Sequence, residues 1–235
     1  MRGLRVGDET RHYLFKVLAS REILRLARED PDELERQVRL QTAKASAEEV
    51  LRPESRYPPY EDDAALRRAY KREELVPLPD DPARLAYRPG RKMGSLARRL
   101  DQPRILYRGL RTEALATLLY LAKEYRRIAG ESPKGMGTLR VTSTVRDLPY
   151  QELLVQTNLQ ATSEFSLHTT GFAIDIAKPR AEAPLRFLLE RLQAWDAIAW
   201  VEEPGAFHLT VGPQAESFLP IYEALVTDRR PLRSP

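Results

Sequence analysis

The chain has 235 residues, 42% of them apolar, with a formal net charge of +4 and no cysteine. That apolar share supports a packed core and excludes wholesale disorder, while the missing thiols exclude disulfides and thiolate metal sites. Only seven of the 38 basic residues are lysine, and no basic run is longer than Arg229-Arg230, which argues against a nucleic-acid-binding face.

No stretch is long and apolar enough to span a bilayer, and Met1 to Asp8 lacks the apolar core of a signal peptide. Leu14, Val17, Leu18, Ile23, Leu24 and Leu26 give a helical stripe between Asp8 and Asp30. His12 has no metal-ligand spacing to another histidine and reads as a surface residue. Pro31-Asp32-Glu33 opens a second helix running towards Leu51, since proline and acids favour a first turn. A shorter helix is expected over Asp62 to Glu74. Residues 1–75 thus form an N-terminal helical extension. Residues 76–110 carry Pro77, Pro79, Pro82, Pro89, Gly90 and Gly94, punctuation expected of a connecting segment.

Thr112 to Ile128 is the strongest helix, ended by Gly130. Lys134-Gly135-Met136-Gly137 lacks the spacing of a nucleotide loop and reads as a turn. Leu139, Val141, Ser143 and Val145 then alternate with Arg140, Thr142, Thr144 and Arg146, the period of a strand. A helix over Tyr150 to Leu159, a strand over Phe172 to Ala177 and a helix over Ala183 to Trp195 follow. Ala199 to Glu202 and Ala206 to Val211 are expected to pair across Pro204-Gly205. Gln214 to Val226 reads as a last helix, so the main domain spans 111–228 and a basic tail covers 229–235.

The chemistry concentrates in two strand-like segments that hold the other two histidines. One reads Ser166-Leu167-His168-Thr169-Thr170-Gly171-Phe172-Ala173-Ile174-Asp175, the other Glu202-Glu203-Pro204-Gly205-Ala206-Phe207-His208. His168, Asp175 and His208 suit a catalytic zinc, which takes three protein ligands and keeps a position for water. Alternation gives both later strands a bulky face and a small-residue face. Phe172, Ile174 and Ile176 oppose Ala173, Asp175 and Ala177; Phe207, Leu209 and Val211 oppose Ala206, His208 and Thr210. Each small face holds one ligand, leaving room for an ion and a substrate. Gly171 lets the backbone turn between His168 and Asp175.

The spacing Ser166-x-His168-x-x-Gly171-x-Ala173-x-Asp175 resembles the zinc D-Ala-D-Ala carboxypeptidase family, which shares its fold with hedgehog signalling domains. The segment Ser143-Thr144-Val145-Arg146 with Gln151 resembles that family's arginine-bearing strand. The likeness covers roughly residues 135 to 215. It implies an α+β fold, with a helical N-terminal part packed on a small, mainly antiparallel sheet carrying one Zn2+ per chain. It also implies a metallopeptidase acting on stem peptides or cross-bridges of peptidoglycan, and hence an extracytoplasmic place of work with the export segment outside this chain; a cytoplasmic one stays open. Arg146 resembles the family's oxyanion partner, and Ser166, Gln151 and Ser143 its substrate contacts, although local capping serves equally for those three. In the family an acid sits three residues before the second histidine. Here that position is Gly205, so Glu203, and after it Glu202, become the candidates for general base. The departure at Gly205 keeps two other readings open: a zinc domain without turnover, and a peptidoglycan-binding module at the cell envelope. Oligomeric state and the bond cut are not legible.

Overall fold

The computed structural model describes residues 13–34, 51–52, 56–130, 137–158 and 165–227. His12, the body of the helix expected beyond Leu34, the stretch 131–136 and the basic tail lie outside the described residues. The chain divides into two compact units, Met1–Val50 and Leu51–Pro235. In the first, α1 spans Tyr13–Glu29 and carries Arg25 between Glu22 and Glu29, at 2.6 and 2.9 Å.

Among the described residues, the second unit is a mixed α/β structure with a helical part and two small sheets. Its helices are α2 (Asp63–Lys71), α3 (Pro82–Leu85), α4 (Thr112–Ala129), α5 (Leu148–Val155) and α6 (Glu182–Ala194). The strands β1 (Val76–Pro77) and β3 (Gly109–Leu110) pair with each other. The larger sheet contains β2 (Tyr87–Pro89), β4 (Leu139–Ser143), β5 (Ala173–Ala177), β6 (Ile198–Glu202) and β7 (Ala206–Val211). Its order is β2-β4-β5-β7-β6. Only the β2–β4 pairing is parallel; the others are antiparallel. The Pro204-Gly205 turn does join β6 to β7, closed by Glu203 N–H donating to the Ala206 carbonyl at 2.9 Å.

Alternation separates the faces of this sheet. Val141, Ile174, Ile176, Phe207, Leu209 and Val211 are all fully buried and share one core with α4 and α6. The helices answer with Leu115, Leu118 and Leu119 on α4 and Leu185, Leu189 and Leu192 on α6, spaced three and four apart as a packed helix face requires. Full burial of each such side chain contributes about 1.5–3 kcal/mol, so this face holds the sheet in place. The opposite face carries the polar residues.

Residues 76–110 hold more structure than their prolines and glycines suggest. Leu78, Leu85, Tyr87, Met93 and Leu110 enter the main core, and Ala97, Leu106 and Tyr107 enter a second cluster with Leu66, Val145 and Tyr150. Turn residues report local backbone geometry, not whether the segment between them is buried. α5 also starts earlier than its apolar pattern indicates. Asp147 caps it by accepting from Tyr150 N–H at 2.9 Å, with Pro149 in the first turn, an entry that proline favours. At the C-terminal end a 3₁₀ turn (Pro213–Phe218), one α turn and a π turn replace the continuous helix expected there.

Candidate metal centre

His168 lies on a 3₁₀ turn, Leu167–Thr170, and not on a strand. The turn is stabilised by its own side chains: the Thr169 and Thr170 hydroxyls donate to the Ser166 and Leu167 carbonyls at 2.6 and 2.8 Å. Gly171 ends it with φ +83°, and a Cβ there would lie 2.8 Å from Leu75 Cδ2. The positive φ favours glycine, and the Leu75 methyl, at the end of a flexible side chain, adds only a lesser constraint. The chain then enters β5, where Asp175 stands opposite His208 of β7.

The three side chains converge. Asp175 Oδ1 lies 3.1 Å from His168 Nε2 and 2.7 Å from His208 Nδ1. All three ligand atoms fall within 4.8 Å of one another, a group that could hold a metal ion. His168 is 3% exposed at its side chain, Asp175 15% and His208 13%, so the group opens to solvent on the Asp175–His208 side.

The tautomer of His168 strengthens the case. Its Nδ1 lies 2.8 Å from the Thr144 carbonyl. A carbonyl oxygen only accepts, so Nδ1 carries the hydrogen and donates. Nε2 of the neutral ring then turns a lone pair towards a carboxylate oxygen that is also an acceptor. Two facing acceptors need a proton or a cation between them. Protonation of His168 is opposed by burial and then by the Arg146 guanidinium, which together lower its pKa. A metal ion meets the same need, and an N–H donated to a carbonyl is how ligating histidines are usually oriented. Asp175 is suited to stay ionised. Burial pushes its pKa up, but positive charge on the imidazole side, at His168 foremost, outweighs that and holds it well below the carboxylate range, a charge that a bound cation would supply where His168 is neutral.

Arg146 sits against the other carboxylate oxygen, its Nη2 3.3 Å from Asp175 Oδ2. It also donates through Nη1 to Gln151 Oε1 at 2.7 Å and through Nη2 and Nε to Ser143 Oγ at 2.8 and 3.2 Å. Its backbone N–H donates to the His168 carbonyl at 2.9 Å. Burial lowers its pKa while Asp175, Tyr150 and Glu203 act in the opposite sense. Ser143 and Gln151, expected as substrate contacts, therefore hold the arginine in place. Simple alternation would put Ser143 on the core face with Val141. A bulge between the two shifts the register, so that Val141 pairs with Ile176 but Ser143 with Asp175. An extra residue in one strand re-aims the next side chain, and here it delivers the serine to the polar face. Ser166 is buried beside the turn and supplies the carbonyl that Thr169 caps.

The two glutamates separate cleanly. Glu202 pairs with Phe207, on the core-facing side of the sheet. It is bound to Arg186 and, at 2.6 Å, to Lys178, which pull its pKa down to about 2. It is not brought to the cluster, and its candidacy as base ends there. Val201 stands opposite His208, so Glu203, two residues on, shares the metal-side face. Its charge is felt by Arg146. The Thr144 carbonyl and the bulge escaped sequence reasoning, because neither leaves a residue-type signal.

No family model, curated protein or solved structure matches the chain.

Proposed function

We propose that this chain is a zinc-dependent metallopeptidase of the D-Ala-D-Ala carboxypeptidase type, with the hedgehog-like fold that resemblance carries. Its substrate would be a peptide bond in peptidoglycan stem peptides or cross-bridges, met outside the cytoplasm. The observation that carries the reading is the convergence of His168 Nε2, Asp175 Oδ1 and His208 Nδ1, with the His168 tautomer held by Thr144. Two nitrogens and one carboxylate oxygen suit zinc better than the oxygen-rich sets of calcium or magnesium. When bound, zinc supplies Lewis acidity at the scissile carbonyl.

The protein's own groups do the rest. Glu203, on the metal-side face, takes the proton from the attacking water and returns it to the leaving amine. Arg146 places a fixed positive fork beside the site, where it stabilises the oxyanion as water adds. Ser143 and Gln151 keep that fork from swinging away.

A second reading has one observation in its favour. Arg146 already donates to Asp175, Gln151 and Ser143, which befits a structural brace in a zinc-containing binding domain without turnover. Zinc analysis with muropeptide digestion separates the two. The peptidase reading expects about one zinc per chain and chelator-sensitive cleavage that Glu203→Gln removes while zinc is retained. Stoichiometric zinc with no cleavage of any muropeptide selects the binding domain.

A further inference from the structure

One cavity of about 650 Å³ lies at the β2 edge of the five-stranded sheet, lined by Arg88, Arg91, Lys92, Arg140, Met93 and Thr142 among others. Four of its lining side chains are cationic and none is acidic. None of the four makes an ion pair among the described residues, although other arginines of the chain, such as Arg67, Arg127 and Arg186, find carboxylates. Like charges gathered without counter-charge repel, and an anionic ligand relieves that repulsion.

The loop that presents them is held from behind. Gly90 N–H donates to the Val141 carbonyl at 2.6 Å, and Met93 N–H to the Gly90 carbonyl at 3.1 Å. Arg104 donates to the carbonyls of Arg91 and Met93 at 2.6 and 2.7 Å. Met93 itself is buried. The backbone is thus fixed while the charged ends remain available, an arrangement that lowers the ordering cost of binding.

Register places this cleft beside the metal centre. Arg88 stands opposite Arg140, and continuing the Val141–Ile176 pairing by one residue sets Arg140 opposite Ala177. Ala177 in turn faces Ala206. This row lies on the same face as Ser143, Asp175 and His208, one step along the strands. Strand spacing puts the Cα atoms of Arg140 and Arg88 roughly 8 and 12 Å from that of Asp175. Between Arg140 and Asp175 the sheet carries Ala177 on β5 and Thr142, which itself lines the cleft, on β4.

We propose that the Arg88–Arg140 cleft is a recognition subsite for a carboxylate of the peptide cleaved at the metal centre, which makes the substrate class acidic peptides. This rests on the hydrolase reading for the cleavage, though not for the binding. An extended peptide advances about 3.3 Å per residue, so the carboxylate sits two to four residues from the scissile bond.

The test uses the full chain, zinc-loaded and chelated, titrated calorimetrically with tri-glutamate and tri-glutamine peptides at physiological ionic strength. Tri-glutamate is expected to bind at least tenfold tighter with or without zinc. That preference disappears in the Arg88→Gln/Arg140→Gln and Arg88→Glu/Arg140→Glu variants and persists in Arg98→Glu, an exposed arginine on the 3₁₀ turn Ser95–Leu100 that does not line the cleft. Equal binding of the two peptides, or a preference that survives both double variants, overturns the proposal. So does tighter binding of inorganic phosphate, or of an oligonucleotide, lost in the same variants, since either assigns the cleft to a phosphoryl ligand. Where cleavage is observed, the Gln double variant raises KM for acidic peptides and leaves kcat and neutral peptides unchanged; equal loss on both overturns the subsite. A chain that binds tri-glutamate as expected but cleaves nothing keeps the subsite and fails only the peptidase reading.

Discussion

The two faces of the five-stranded sheet are built by the same strands and do opposite work. On one, Ile174, Ile176, Phe207 and Leu209 meet two helices and are closed to water. On the other, the side chains between them are Ala173, Asp175, Ala177, Ala206 and His208, small except at Asp175 and His208. A burial-driven face tolerates no vacancy, because interiors are close-packed. The polar face needs space and fixed donors instead. Adjacent residues can therefore have unrelated roles, and Glu202 and Glu203 are the clearest pair.

The largest expected effect breaks the core face. Phe207→Ala should cost about 3–5 kcal/mol of stability, read by urea unfolding, with zinc binding intact in whatever fraction stays folded. If zinc is lost while stability is unchanged, the division between faces is wrong. Next, Asp175→Ala removes the one oxygen both imidazoles share. Zinc affinity should fall by roughly 100-fold or more, since even outer partners of a metal are worth 10–100-fold. A competition titration that finds wild-type affinity would remove the metal centre.

The glutamate pair sharpens the comparison further. Glu203→Gln should lower kcat by on the order of 100-fold without loss of zinc, whereas Glu202→Gln should leave kcat within about twofold. The reverse result would place the hairpin one residue out of register. The smallest effect belongs to the brace. Ser143→Ala or Gln151→Ala should each reduce kcat roughly tenfold, less than Arg146→Ala, with thermal stability nearly unchanged. Equal effects from all three would mean that the arginine acts only as part of a rigid structural unit.

How much of this was legible follows from the same physics. The faces of β5 and β7 that carry Asp175 and His208 were readable because those strands are regular over the residues that matter, so a period of two decides every side chain. Ser143 was misplaced by alternation because one bulged residue inverts the parity downstream. His168 was assigned to a strand although threonine hydroxyls tie its segment into a turn. The convergence of Arg146, Asp175 and Gln151 joins residues up to 29 positions apart in the chain, and no local pattern encodes that distance. Glu202 and Glu203 were ranked by reach alone; the pairing of Val201 with His208 decides between them at once.

The parallel edge strand β2 has a consequence for behaviour at high concentration. It is three residues long and ends in Pro89, which has no N–H to offer. Its outward-facing Arg88 adds charge beside the one margin of the sheet where a foreign strand could dock from that side. Short length, a missing donor and an arginine are the devices by which open sheet margins resist templated growth. On that flank the sheet terminates itself, and cross-β assembly of crowded molecules is disfavoured before any partner need cover it.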